Sequence, residues 1–408
     1  MKKPLPALLS ILALLLLASC SHEDVPTPPA RRTLIVWLAG DNNLSAETDD
    51  KLEAIAHGWD NLSADAATAN NLIVYQDRQD QAPRLLQVFA GGRYNTLHTY
   101  HEDQNSCSPT VWSEVLHQAI AAAPAQDYGL LFFSHATGWL PAGNYPTPAT
   151  TPSEAEDAAA ASSSQTRTIG RDRDSEMELA DFAATIPNGQ FRFILFEACL
   201  MGGIEVAYEL RHKADYLLVS PAEILSPGFT ELYPQMIPLL FGAAQEDENR
   251  LANFARLYYD AYNAHTGYTR SATVSLLRTR ALEPLATALT PLLTDPRPVS
   301  PAEVTYYDST SPLLYSDLSH YLLLKAGGNE DDPRYTRARS ALNEAIAYTA
   351  TTPQVMGHPC PLPGGLTIYI ARPELPGLNA AQAETEWGRR MQATPATLRM
   401  ILNQYIAK

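Results

Sequence analysis

The chain predicts a layered α/β protein with a mostly parallel central sheet flanked by helices and a helical C-terminal part. Two observations carry this. Continuous apolar runs recur at 33–40 (TLIVWLAG), 71–78, 127–135 (DYGLLFFSH), 192–199 (RFILFEAC), 214–220 and 365–371, with helix-patterned segments between them. Runs apolar on both faces are what parallel strands covered by helices require, and strand–helix alternation implies right-handed crossovers.

The elements follow in order. After the first run, Leu44, Leu52 and Ile55 repeat at helical spacing. LLQVFAGGRYNTLHTY (85–100) predicts a hairpin turning at Gly91-Gly92. The next segment has a Ser cap at 108, Val111, Val115 and Ile120 on repeating positions, and a proline stop, so it predicts a helix. Residues 140–175 are rich in Pro, Ala, Ser and Thr and break the rhythm, which predicts a mobile surface insertion. From 229 to 350 the pattern is mainly helical, 338–350 being one of the clearest helices, while SATVSLLRT (271–279) adds a short extended piece.

The ends and the charge set further limits. The opening MKKPLPALLSILALLLLASC has the lysines, short apolar run and small residues of an export signal, and its last four residues resemble a bacterial lipobox. Residues 1–20 are therefore expected to be a lipoprotein signal, with Cys20 carrying the acyl chains, and 21–32 a flexible tether to the domain at 33–408. This predicts an exported protein anchored by lipid to a bacterial membrane. Of four cysteines, Cys107 and Cys360 are left as a pair that an oxidising compartment can join or leave as buried thiols. Lys plus Arg number 29 against 45 Asp plus Glu, a net charge of −16 without a long basic run, which argues against a nucleic-acid partner.

In open parallel sheets, ligands collect beyond the carboxyl ends of the strands. The polar clusters here follow the apolar runs: Asp41-Asn42-Asn43, Asp77-Arg78, Ser134-His135, Glu197 to Cys199, and Ser220 to Glu223. His135 directly follows one strongly apolar run, and Cys199 ends the next. A thiol attacking a carbonyl needs a base and donors for the oxyanion, and the helix expected from IEVAYELRH would favour the thiolate. Taken singly, a cysteine ending a strand is usually packing and a histidine is usually a surface or capping residue. Their matched positions favour chemistry. G-x-S-x-G, G-x-x-x-x-G-K-[ST] and H-E-x-x-H are all lacking, which leaves serine hydrolases, P-loop enzymes and zincins without their central parts.

TLIVWLAGDNNL, LLFFSHATGW, FILFEACLMGGIEVAYEL, SPAEILSPGF and GGLTIYIARP together resemble the successive sheet motifs of the clostripain-like cysteine peptidases, relatives of caspases, legumain and gingipains. The resemblance spans about residues 33–390. It implies a caspase-like sandwich, His135 and Cys199 as a catalytic dyad, the backbone N–H groups of residue 136 and Cys199 as oxyanion donors, and protein or peptide substrates cut after Arg or Lys. Two residues depart from the family pattern. Ala136 stands where glycine is usual and would misaim its N–H if that position is left-handed. Glu197 replaces an aspartate; extended-strand geometry would point it with Cys199 toward the substrate, the alternative being a structural acid. Glu223 is a second candidate for the pocket wall.

The family's maturation between the histidine and cysteine strands makes Arg167, Arg171 and Arg173 candidate processing sites; pairing with Asp172 and Asp174 is their alternative. The sequence requires no cofactor. Calcium is left open, since some relatives use it and Asp41 and Asp77 offer oxygens. A monomer is expected. A catalytically weak or silent surface lipoprotein, using the same fold to bind protein or glycan, is the competing reading.

Overall fold

A computed structural model describes residues 29–100, 103–144 and 169–393. At its centre is a nine-stranded sheet in the order β12-β10-β9-β8-β5-β1-β2-β3-β4. Its strands are β1 (Ala30–Gly40), β2 (Asn70–Arg78), β3 (Gln81–Phe89), β4 (Arg93–Thr99), β5 (Ala125–Phe133), β8 (Phe191–Glu197), β9 (Ala214–Val219), β10 (Thr273–Arg278) and β12 (Ile346–Thr351). The middle of the sheet, β9-β8-β5-β1-β2, is parallel, and antiparallel strands extend it on both sides. The 85–100 segment forms the predicted β3–β4 hairpin, turning at Ala90–Gly92.

The apolar runs are continuous because alternate residues feed two separate cores. On β1, Ile35, Trp37 and Ala39 face one core with Trp112 of α2 (Pro109–Ala122) and Phe182 of α3 (Leu179–Thr185). Leu34, Val36 and Leu38 face the other, with Ile55 of α1 (Ser45–Asp60) and Phe254 of α5 (Asp247–Asn263). Every one of these residues is essentially removed from water, each worth about 1.5–3 kcal/mol for the larger side chains. Helix α4 (Ile204–Glu209) lies between β8 and β9, and β6 (Ile169–Asp172) and β7 (Ser175–Met177) form a small hairpin at the end of the 140–175 segment.

SATVSLLRT, expected to be extended, supplies β10, a full member of the sheet. Two other expectations change. Helix α6 (Pro333–Ala345) stops where the predicted helix was to continue, because Ile346, Tyr348, Thr349 and Thr351 are residue types that favour strands and the segment pairs with β10 instead. The 365–371 run stays outside the main sheet: only Thr367–Ile368 is extended, pairing with β11 (Ser316–Asp317). Cys107, Cys199 and Cys360 are not joined in disulfides, so the Cys107–Cys360 pair is not formed. Cys20 lies outside the described residues.

Candidate active site

Strands β5 and β8 are parallel neighbours in a register that sets Phe133 opposite Glu197. His135 and Cys199, each two residues further on, therefore leave the sheet at the same level on adjacent strands. His135 is 6% exposed, and its Nε2 lies 2.7 Å from Asn43 Oδ1, a residue just beyond β1. With that oxygen accepting from Nε2–H, Nδ1 is the ring nitrogen that can take a proton. Asn43 is the functional candidate that sequence reasoning passed over; its only signal was its place in the polar cluster after the first strand.

The chain after β8 turns at once. Leu200 adopts φ +60°, Leu200 N–H donates to Ala222 O (3.0 Å), and Gly202 N–H donates to Ser220 O (2.8 Å). These bonds bring the loop after β9 under Cys199, whose sulfur accepts from Ile224 N–H at 3.3 Å. A donor to sulfur favours the thiolate. Helix α4 begins only at Ile204 and has six residues, so the expected helix start at the thiol is replaced by this loop N–H.

The His135 and Cys199 loops touch. Gly138 has φ +70°, and a Cβ there would lie 2.5 Å from Leu200 O, so glycine is what permits this approach. From below, the 365–369 segment braces the cysteine loop: Thr367 N–H donates to Gly202 O (2.8 Å), and Tyr369 N–H donates to Glu205 Oε1 (2.9 Å). Ala136 is buried and is not among the residues with positive φ, so its side chain costs no backbone strain at this position.

Glu197 requires a correction. It lies with Phe193 and Leu195 on the sheet face toward Phe229 and Tyr233, is 3% exposed, and does not point with Cys199. Lys51 Nζ on α1 donates to its Oε1 at 2.7 Å; Phe229 N–H donates to the same oxygen, and Tyr233 OH to Oε2. Lys51 spends its other donors on Pro227 O (2.9 Å) and Thr230 Oγ1 (2.8 Å) and sits 4.3 Å from the Phe133 ring centre. Gly228 closes over the carboxylate, since a Cβ there would be 2.3 Å from Oε1. Burial pushes the Glu197 carboxyl above its ordinary range, while Lys51 and the hydrogen bonds oppose that shift. The residue is a structural acid with both oxygens engaged. Glu223, half-buried, immediately precedes Ile224 on the loop that reaches the sulfur.

The end of the segment expected to be mobile is instead an ordered hairpin, Ile169 to Met177, pinned against the histidine loop. Ala136 pairs with Ile169, Gly170 N–H donates to His135 O (2.9 Å), Arg171 N–H donates to Ser134 Oγ (3.1 Å), and Asn42 Nδ2 donates to Arg171 O (2.7 Å). Arg173, at the hairpin tip, donates its N–H to Asp41 O (2.7 Å) and pairs through its guanidinium with Asp41 and Asp103. Arg171 approaches Asp174 at 3.9 Å. Arg167 lies outside the described residues. For the calcium expectation, the all-oxygen donors Asp41, Asp77 and Asp103 come together at this edge, with ligand atoms within 4.8 Å of one another.

A parallel α/β sheet presenting a histidine and a cysteine on adjacent strand ends defines a cysteine-hydrolase architecture. The sequence profile of the clostripain family, peptidase family C11, matches residues 36–309. The chain belongs to that family and is a clostripain-family cysteine peptidase. It is similar to an inactive zymogen C11 protease from Parabacteroides distasonis, with 28% identity, a TM-score of 0.72, and 90% of this chain and 99% of that one covered. A secreted C11 cysteine protease from Bacteroides thetaiotaomicron, solved with an irreversible peptide inhibitor, is 25% identical at a TM-score of 0.70, covering 89% of this chain and 99% of that one. No curated protein matches the chain.

Proposed function

We propose that the protein is an endopeptidase in which Cys199 attacks the scissile carbonyl and His135 serves first as its base and then as the acid for the leaving amine. The observation that carries this reading is the β5–β8 register, which delivers both side chains to one edge. The sulfur forms a thioester as the C–N bond breaks; the proton held on His135 goes to the amine, and water then releases the acid. Asn43 orients the imidazole and stabilises its protonated form through Nε2. Backbone N–H groups of Ala136 and Cys199 are the oxyanion donors in this reading, supported by the unstrained backbone at Ala136.

A preference for Arg or Lys before the scissile bond follows from the family. Because Lys51 neutralises Glu197, we assign the attracting carboxylate to Glu223, on the loop that touches Cys199. Self-cleavage in the 140–175 insertion completes the scheme, with Arg167 favoured, since Arg171 and Arg173 lie in a hydrogen-bonded hairpin that would have to be pulled open to enter a protease cleft. Export and lipid attachment at Cys20 belong to the same reading, and a labelled fatty acid incorporated by the wild type but not by Cys20→Ala would support them. Among the described residues, no helix is long and apolar enough to cross a membrane.

The test is turnover of fluorogenic peptides ending in Arg, Lys or Leu, with and without a thiol alkylator. Alkylator-sensitive cleavage after Arg or Lys is expected. Well-folded, fully processed protein that cleaves none of them would favour the alternative of a silent binding lipoprotein.

A further inference from the structure

Two loops at the catalytic edge of the sheet enclose a cleft that the proposed chemistry leaves unused. One is the turn before β10, residues 264–272; the other is a short hairpin after β12, in which Gln354 pairs with Pro359 and Val355 with His358. Thr351 of β12 is opposite Thr273 of β10, and Ser275 of β10 is opposite Val219 of β9, so both loops leave the sheet at the end where Cys199 does. Thr352 N–H donates to Ala272 O (3.0 Å), Met356 N–H to Ser271 Oγ (2.9 Å) and Gln354 Nε2 to Gly267 O (2.7 Å), which stitches the two walls together. The cleft measures about 340 Å³ and is lined chiefly by His265, Thr266, Arg270, Pro353, Gln354 and Pro359. Among the described residues that line it none is acidic, although the chain carries a net charge of −16. Arg270 donates from Nε and Nη2 to Asn263 Oδ1, at 3.0 and 2.8 Å, which fixes the guanidinium plane and leaves Nη1 for another acceptor.

This cleft adjoins the loop that touches the nucleophile. Ile224 N–H reaches the Cys199 sulfur, Tyr262 OH donates to Leu225 O (3.5 Å) and Gly228 O (2.8 Å), and the Tyr262 ring lies 5.4 Å from that of His265. Tyr268, exposed on the same turn, has its hydroxyl pushed upward by burial and by the neighbouring Glu223 carboxylate. In the mechanism proposed above, on which this inference rests, His135 on β5 protonates the leaving amine. The leaving half of a substrate therefore lies on that side of Cys199, and the acyl half extends the other way, toward β9 and β10. Strand β10 is two strand spacings from β8, about 10 Å, and an extended peptide advances about 3.3 Å per residue. With the reach of a side chain added, the third or fourth residue before the scissile bond meets the cleft. We infer that the cleft is an acyl-side subsite for an acidic residue, with Arg270 its specificity determinant, so that preferred substrates carry Asp or Glu three or four positions before the bond and Arg or Lys at the first. A guanidinium held in one plane pairs well with a carboxylate, the His265 and Thr266 side chains add donors, and Pro353 and Pro359 receive methylenes. Glu223, which would repel a bare anion, is offset by the cationic side chain it faces.

The experiment is turnover, by the processed wild-type enzyme, of fluorogenic tetrapeptides ending in Arg, with Glu, Ala or Lys at the third or the fourth position before the bond and alanine elsewhere. At one of these positions Glu should exceed Ala in kcat/KM by about fivefold, and Lys should fall below Ala. Arg270→Gln should bring the Glu and Ala peptides within about twofold of each other, and Arg270→Glu should reverse the order of Glu and Lys. Arg256→Gln, exposed on α5, should keep the wild-type order. Should the Arg270 variants misfold, His265→Ala, on the exposed turn, is expected to lower the Glu-to-Ala ratio at least about twofold. Equal kcat/KM for the Glu, Ala and Lys peptides at both positions, or a Glu preference that the Arg270 variants or, where they misfold, His265→Ala leave intact, would overturn the inference while leaving Cys199 and His135 in their roles. Absence of all cleavage would instead count against the Cys199–His135 chemistry. The subsite is then decided by fluorescence anisotropy of dye-labelled peptides with a free C-terminal Arg: binding about fivefold tighter with Glu than with Ala upholds it, and equal affinity overturns it.

Discussion

Lys51 Nζ lies 2.7 Å from Glu197 Oε1, with the lysine fully buried and the glutamate nearly so, two residues before Cys199 in the chain. The pair ties α1 to the end of β8 and thereby fixes the strand end from which the cysteine loop departs. Lys51→Met leaves the Glu197 carboxylate uncompensated and should cost about 3–5 kcal/mol of stability, whereas Lys51→Met with Glu197→Met should recover most of that loss. Urea unfolding of the single and double variants measures the coupling. A single variant as stable as wild type would remove the pair's structural role.

Substrate preference separates the two acids near the cysteine. Glu223→Gln should lower kcat/KM for Arg- and Lys-ending peptides by about tenfold, the loss of one charged contact of about 1.4 kcal/mol, with little change for a Leu-ending peptide. Glu197→Gln should act mainly on stability, since Lys51 then loses its anion. A selective loss of Arg cleavage in Glu197→Gln, at unchanged Tm, would reverse the assignment.

Asn43 Oδ1 accepts from His135 Nε2–H, the two atoms 2.7 Å apart, which favours the imidazolium and, through it, the Cys199 thiolate. Asn43→Ala should reduce kcat about tenfold with KM nearly unchanged, and should move the pH midpoint of Cys199 alkylation upward. Asn43→Asp should restore much of the rate. Iodoacetamide kinetics across pH 5–9 read the midpoint directly, and a purely structural asparagine would leave it in place.

Glu205, at the start of α4, is buried with one oxygen bonded to Tyr369 N–H and the other unpaired, and burial raises its pKa from 4.5 to about 7. A carboxyl whose folded pKa lies above its unfolded value binds its proton more tightly in the fold. Its stabilising effect is therefore full below the unfolded value, is lost as pH rises toward 7, and amounts to about 3 kcal/mol across that window. Glu205→Gln should flatten this slope, melting higher than wild type at pH 8 and not at pH 4. Parallel melting curves for the two proteins over that range would refute the shift.

Processing distinguishes the three arginines. Arg167→Ala should leave the purified chain whole by intact mass, while Arg171→Ala and Arg173→Ala should still be cut, because their backbone lies in the bonded hairpin. Cleavage mapped after Arg171 or Arg173 would contradict this.

Much of the site's frame was legible because it depends on local patterns. The unbroken apolar runs of β1, β2, β5, β8 and β9 can be satisfied only between two helical layers, and that alone sends His135 and Cys199 to one edge. What escaped depends on long-range partners. Glu197 reads as a residue facing the substrate by strand periodicity, but its direction is set by Lys51, Phe229 and Tyr233, from segments distant in sequence. Ile346 to Thr351 reads as the end of a helix until β10 offers an open edge. The 365–369 run has strand composition yet braces the cysteine loop, because Gly202 and Glu205 capture its backbone.

Covalent trapping decides whether Cys199 is the nucleophile and His135 its proton partner. The processed enzyme is treated with a peptidyl electrophile ending in Arg, and the intact mass and labelled peptide are determined for wild type, Cys199→Ala and His135→Ala. One stoichiometric adduct on Cys199, none in Cys199→Ala, and labelling slowed at least about 100-fold in His135→Ala are expected. Label on another residue, or peptide turnover that survives Cys199→Ala, would contradict that assignment.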